Sequence, residues 1–103
     1  MMHARVTKIQ MNPERLDEAV AQVEEQDLPT WKGLDGFRGF TLVVNRASGE
    51  VIGTSYWDSR EQMDASEDAV SDSRRRAAET GGSDAEPEVE RYEVALDTFV
   101  RNG

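Results

Sequence analysis

Polar and apolar positions along this chain alternate with two periods, and each change of period marks the edge of an element. Over 3–11, His-Ala-Arg-Val-Thr-Lys-Ile-Gln-Met, they mix as in a strand. Asn12-Pro13-Glu14 then opens a helix, because asparagine caps well and proline suits the first helical position. Leu16, Ala19, Val20 and Val23 recur at helical spacing, which predicts an amphipathic helix over 13–26. Leu28-Pro29 is expected to end that helix, with a connector over 30–36 holding at most one short turn.

A second strand is predicted over 37–45, rich in Phe, Thr, Leu and Val. Arg46-Ala47-Ser48-Gly49 reads as a hairpin loop, with glycine available for a left-handed residue. A third strand follows over 50–57. It ends on Trp57, immediately before a helix start at Asp58-Ser59-Arg60-Glu61-Gln62, where Ser59 and Gln62 form a capping box. The helix is predicted over 60–79. Its apolar stripe, Met63, Ala69, Val70 and Ala77, is small and interrupted by serines, so a shallow or hollow contact with the sheet is expected. A loop over 81–87, a last strand over 89–96 and a tail over 97–103 complete the chain.

Strand–helix–strand occurs twice, joined by a hairpin. This describes an α+β ferredoxin-like sandwich: a four-stranded antiparallel sheet in the order 4-1-3-2 with two helices on one face. One domain over 1–103 is expected, with its core over 3–96. If Asn45 opposes Glu50 in the hairpin, then Arg38, Phe40, Leu42 and Val44 share a face with Val51, Gly53, Ser55 and Trp57. Thr41, Val43, Ile52, Thr54 and Tyr56 occupy the other face. Helices cover only one of these faces. The other is an apolar strip that calls for a second copy of the chain, burying about 800 Å² on each partner.

Composition narrows the chemistry. The 103 residues are 37% hydrophobic and 32% charged, with a net charge of -9. A field of that sign repels nucleic-acid backbones and anionic membranes, so neither is an expected partner. With no cysteine and a single histidine, His3, there is no disulfide, no thiolate site and no multi-histidine metal site. The carboxylates show no calcium-loop spacing, so no metal is expected. No apolar run approaches the roughly 20 residues of a membrane span. Met1-Met2-His3-Ala4-Arg5 lacks the apolar centre of a signal peptide, so a cytoplasmic location is expected.

Several motifs combine with this layout: Leu28-Pro29 leading to Gly36-Phe37-Arg38-Gly39, the Tyr56-Trp57-Asp58-Ser59 junction, and Glu90-Arg91-Tyr92-Glu93-Val94. Through them the chain resembles the dimeric α/β-barrel proteins related to antibiotic-biosynthesis monooxygenases, over roughly residues 3–96. The resemblance implies a homodimer whose two sheets pack face to face through their open faces, with a small pocket between each sheet and its own helices. Some members of that group oxidise aromatic polyketides or quinols with O₂ and no cofactor; others degrade haem. The implied function is a cofactor-independent monooxygenase acting on a small aromatic, phenolic or quinol compound. The alternatives are a non-catalytic dimer that binds or senses a small apolar molecule, and an accessory dimer with a vestigial pocket. The haem-degrading branch shares the tryptophan at Trp57 but has an asparagine where this chain has Thr7 and a ligating histidine where it has Glu67. A carboxylate replaces imidazole poorly on haem iron, which disfavours that reading.

Within this frame Trp57, Thr7 and Arg38 are the catalytic candidates, and Phe40, Trp31, Ser55 and Glu67 the pocket candidates. Trp57 offers an indole N–H and a flat wall. Arg38, or secondarily Arg5, would stabilise a phenolate, with Trp31 closing the mouth. His3 and Glu67 are the only candidate bases. Each residue also has a plainer reading: Trp57 as core, Trp31 as a loop anchor, Thr7 as an ordinary strand residue, Arg38 in a surface ion pair, His3 in solvent. Arg74-Arg75-Arg76 reads as solvated or salt-bridged helix surface.

Overall fold

The strand-forming stretches pair into one antiparallel sheet in the computed structural model of the chain, which describes residues 1–99. The expected tail beyond 99 lies outside the described residues. Strands β1 (His3–Gln10), β2 (Phe37–Val44), β3 (Glu50–Trp57) and β4 (Glu88–Glu93) lie in the order β2-β3-β1-β4. This is the ferredoxin-like arrangement expected from the layout. β1 occupies the centre, with Arg5 opposite Ser55 on one side and Arg91 on the other. The last strand is shorter than predicted, ending at Glu93, although the Val94 N–H just beyond it still bonds to the Met2 carbonyl at 2.9 Å.

The hairpin closes as its sequence requires. Asn45 N–H donates to the Glu50 carbonyl at 2.8 Å, while Asn45 Oδ1 accepts from the N–H groups of Ala47 and Ser48. Gly49 has φ +83°, and a Cβ there would collide with the Met11 carbonyl oxygen. No other residue fits that corner without strain.

Two expectations about the first helix are corrected. After a 3-10 turn at Pro13–Arg15, α1 (Leu16–Gln22) does not stop before Pro29. It widens into a π turn at Val23–Asp27 and continues directly as α2 (Leu28–Lys32). In the wider turn the Leu28 N–H bonds to the Val23 carbonyl, and Pro29 falls in the first turn of α2. There its missing N–H is not needed. Trp31 is thus a buried helical residue, not part of a loose connector.

The second helix is also divided. α3 (Arg60–Ala65) and α4 (Glu67–Thr80) meet at Ser66. At the joint the Met63 carbonyl accepts from Ser66 Oγ at 2.6 Å and from Arg5 Nη2 at 2.6 Å. A buried arginine from the central strand therefore grips the helix where it breaks.

A bulge at Arg38 changes the face expected for that residue. Phe37 pairs with Trp57 and Gly39 with Tyr56, so Arg38 is the extra residue. A bulge leaves its extra residue outside the ladder alternation. Phe37 takes the inner position, its ring edge-on to Trp57 at 5.3 Å between centroids. Arg38 is half exposed and pairs with Asp58 at 2.8 Å.

The helices cover the inner face, where Ile9, Val51 and Trp57 join Leu16, Ala19, Met63, Val70 and Ala77 in the core. The outer face holds half-buried Ile52 and Tyr56, and leaves Val43 57% and Tyr92 53% exposed. Phe99 packs edge-on against Tyr56, 5.3 Å between centroids, so the segment after β4 reaches this face.

Candidate functional site

Side-chain size alone creates a hollow between the layers. On the inner face of the sheet, Thr7, Gly53 and Ser55 are small, and they adjoin one another across β1 and β3. On α4 the stripe facing them is Val70, Ser73, Arg74 and Ala77, a spacing of i, i+3, i+4 and i+7. Ala19, Val20 and Val23 face it from α1 and the π turn. Small groups meeting small groups leave a mostly apolar cavity of about 60 Å³. That is room for a few waters and less than the ~150 Å³ known to admit benzene, so an aromatic guest needs a wall to yield.

Phe40 and Trp31 form one side, ring edge against ring face, with centroids 4.9 Å apart. Thr7, Phe40, Trp31 and Ser55 all line the cavity. Trp57 does not. It is 0% exposed and sits behind the lining, where its Nε1–H donates to Ser55 Oγ at 2.9 Å. Its link to the cavity runs through that hydroxyl. Arg38 and Glu67 are also absent from the lining, and the far-side place expected for Arg38 is corrected by the bulge. His3 is half-buried opposite Trp57, away from the lining.

Arg5 holds the place that sequence reasoning gave mainly to Arg38. It is 1% exposed, lines the cavity, and lies 6.0 Å over the Trp57 ring. Besides the Met63 carbonyl, its guanidinium reaches Ser66 Oγ at 3.3 Å. Its Nε is 3.8 Å from Glu67, which also receives Arg74 at 3.2 Å and Arg91 at 3.0 Å. Burial lowers the Arg5 pKa from its ordinary value; Glu67 opposes that shift, while Arg74 and Arg91 add to it. Arginine remains charged at neutral pH regardless.

Arg74 was also missed, because the triplet Arg74-Arg75-Arg76 looks uniformly superficial. The helical stripe separates its members: Arg74 faces the cavity, Arg75 pairs with Asp72 at 3.4 Å, and Arg76 with buried Asp27 at 2.8 Å. The available signals were positional. Arg5 shares strand parity with Thr7 and Ile9, and Arg74 lies four residues after Val70.

The lining carries no carboxylate, histidine or tyrosine among the described residues. Three buried donors on lining residues lack a partner: Arg5 Nε, Arg74 Nε and Trp31 Nε1. The arrangement can hold and stabilise an electron-rich group, but it offers no base to take a proton. Among the described residues no group of three or more histidines, cysteines or acids is placed to hold a metal. Among the described residues no helix is long and apolar enough to cross a membrane.

A family model described as antibiotic biosynthesis monooxygenase matches residues 2–79. The uncharacterized protein Rv2557 of Mycobacterium tuberculosis is 40% identical over 95 residues, which are 92% of this chain and 42% of that protein. Rv2558 of the same organism is 36% identical over 96 residues, 93% of this chain and 40% of its own length. The chain therefore spans less than half of these relatives. Among solved structures, the ActVA-Orf6 monooxygenase of Streptomyces coelicolor, in complex with nanaomycin D, superposes with a TM-score of 0.77 at 12% identity, covering 96% of this chain and 92% of that one. SnoaB, a cofactor-independent oxygenase from Streptomyces nogalater, gives 0.65 at 12% identity, covering 93% and 95%. The haem-degrader MhuD of M. tuberculosis gives 0.70 at 17%, covering 94% and 99%. At such identities the structural likenesses establish the shared fold.

Proposed function

Because this chain belongs to the antibiotic biosynthesis monooxygenase family, we propose that it is a cofactor-independent monooxygenase, oxidising a small aromatic, phenolic or quinol compound with O₂ in the hollow between sheet and helices. The observation that carries this reading is the cavity's lining: apolar walls, two guanidiniums, unpartnered N–H groups and no competing acid. Preorganised donors in a poorly hydrated site stabilise an anion far better than water does. The substrate supplies every electron. The phenolic oxygen gives its proton to water, the anion reduces O₂, and an oxygen–carbon bond forms at a ring C–H carbon. The peroxide takes a proton back from water, and loss of water from the resulting hydroperoxide turns that carbon into a carbonyl. One oxygen atom stays in the product and the other leaves as water.

The chain's own residues have distinct parts in this proposal. Arg5 and Arg74 supply positive charge, a role that passes to them from Arg38. Thr7 offers a hydroxyl at the centre of the floor. Trp57 positions the Ser55 hydroxyl, while Trp31 and Phe40 wall the ring-shaped guest. Trp31 stands on α2, directly after the π turn, and we assign the movement that admits substrate to that segment. Glu67 is engaged by arginines and α4 has no histidine, which supports setting haem chemistry aside.

Oxygen-electrode measurements with menadiol test the reading. Uptake above the buffer rate is expected, reduced roughly tenfold in Thr7→Ala and Trp57→Phe. No uptake across a panel of quinols and phenols would refute it. The absence of a base in the cavity favours one second reading, binding without turnover. Saturable quenching of tryptophan fluorescence with no oxygen uptake would select that one.

The assembly proposed is a homodimer through the outer face of the sheet. Exposed Val43 and Tyr92, beside half-buried Ile52 and Tyr56, support it.

A further inference from the structure

The positive charge in the interior of this acidic protein is only partly answered. Arg5 and Arg74 are the only ionised side chains on the cavity lining among the described residues, and both depend on the single carboxylate of Glu67. Arg91 draws on that same carboxylate from β4. Asp64 lies nearer the surface and is engaged by Arg91 at 3.7 Å and Arg60 at 3.8 Å. Every unpartnered buried polar atom on a lining residue is a donor. The Ser55 hydroxyl accepts from Trp57 and donates to no group among the described residues. Buried donors in such excess call for an acceptor that the chain itself does not provide.

The charge also discriminates between acceptors. A phenol titrates near pH 10, so at neutral pH it would have to be deprotonated across about three pH units before it could meet a guanidinium as an anion. The lining holds no base to do this. A carboxylic acid, titrating near pH 4, is already ionised in water. Guanidinium and carboxylate also match in planar geometry.

We infer that the cavity is a site for an aromatic carboxylate, its ring in the apolar hollow over Gly53 and its carboxylate at the Arg5–Arg74 side. The inference rests on the cavity being the ligand site, as the proposed function has it, and narrows the substrate class to compounds carrying an acid group. It does not require turnover.

Benzoate and benzyl alcohol form the probe pair, equal in ring and different in charge. The chain has two tryptophans, so ¹⁵N-labelled protein shows two indole N–H signals, assigned with Trp31→Phe. Titration with benzoate is expected to shift the Trp31 signal saturably, with affinity roughly tenfold or more above that for benzyl alcohol. Arg74→Gln is expected to weaken benzoate binding roughly tenfold more than it weakens benzyl alcohol binding, so that the preference is lost. Arg5→Gln should do the same if it folds; Arg74, outside the Met63–Ser66 joint, keeps the test valid if it does not. Equal affinity for the two probes, no Trp31 shift with either, or an equal loss of both in Arg74→Gln would each overturn the inference. Menadiol-dependent oxygen uptake without benzoate preference would leave the monooxygenase reading standing and this inference fallen. Benzoate preference without oxygen uptake from any quinol would do the reverse.

Discussion

Two arginines in this chain show how position decides what a residue is worth. Arg38 lies on a bulge, half exposed, and its pair with Asp58 is screened by solvent. Arg38→Ala is expected to change stability by less than about 1 kcal/mol and to leave oxygen uptake unchanged. Arg5 is buried and ties the central strand to the α3–α4 joint through the Met63 carbonyl and Ser66. Arg5→Leu strips those acceptors of a charged partner and is expected to cost about 2–3 kcal/mol in urea unfolding. Uptake falling in Arg38→Ala but not in the Arg5 variant would restore the role that the strand pattern first suggested for Arg38. Gly53 matters by what it lacks. A Cβ there would sit 3.2 Å from Phe40 Cζ and 3.4 Å from Leu42 Cδ1. Gly53→Ala is therefore expected to shrink the hollow, lowering menadiol turnover while moving stability by no more than about 1 kcal/mol.

At the scale of elements, both helices are interrupted, the first at the π turn whose Val23 lines the cavity and the second where Arg5 reaches the Met63 carbonyl. The π turn carries the first helix through Pro29, a residue that would break a regular helix. Because proline here lies in the first turn of α2, Pro29→Ala is expected to cost less than about 1 kcal/mol and to keep the helical circular dichroism. A large loss of helix would mean that Pro29 itself holds the wide turn open. The α3–α4 break has a different origin, since a side chain from β1 competes for a helix carbonyl. Neither origin is visible in helical periodicity. The hairpin contrasts with both: Asn45 and Gly49 are residues whose turn chemistry is local, and the corner forms as expected. Gly49→Ala combines a positive φ with a clash against the Met11 carbonyl, so more than about 1 kcal/mol of stability should be lost.

For the whole molecule, the open question is the outer face of the sheet. Helices on one side leave Val43 and Tyr92 exposed on the other, and Phe99 covers only the neighbourhood of Tyr56. Light scattering on a sizing column should report a dimer at micromolar concentration, and Val43→Glu should shift it toward monomer by placing a charge within the apolar patch. A wild-type monomer at that concentration would count against the face-to-face assembly. The same measurement bears on activity: if the dimer braces the sheet beneath the cavity, Val43→Glu lowers oxygen uptake without touching the lining.

Strand order, hairpin register and the presence of two covering helices were legible in the sequence, because period-two alternation, turn residues and a capping box act over a few neighbours. So was the hollow itself, foreshadowed by the small, serine-interrupted stripe of α4. Thr7, Ser55 and Phe40 could be set on the inner face by strand parity and chain order; Trp31 could not, because its stretch reads as a connector and only the π turn makes it a buried helical residue. The occupant of the charged position could not. It depends on one extra residue at Arg38 that reverses the face of the strand's start, and on a contact between Arg5 and a helix carbonyl 58 residues away. Local patterns carry no information about which distant backbone group a long side chain will reach, and that choice belonged to the tertiary structure.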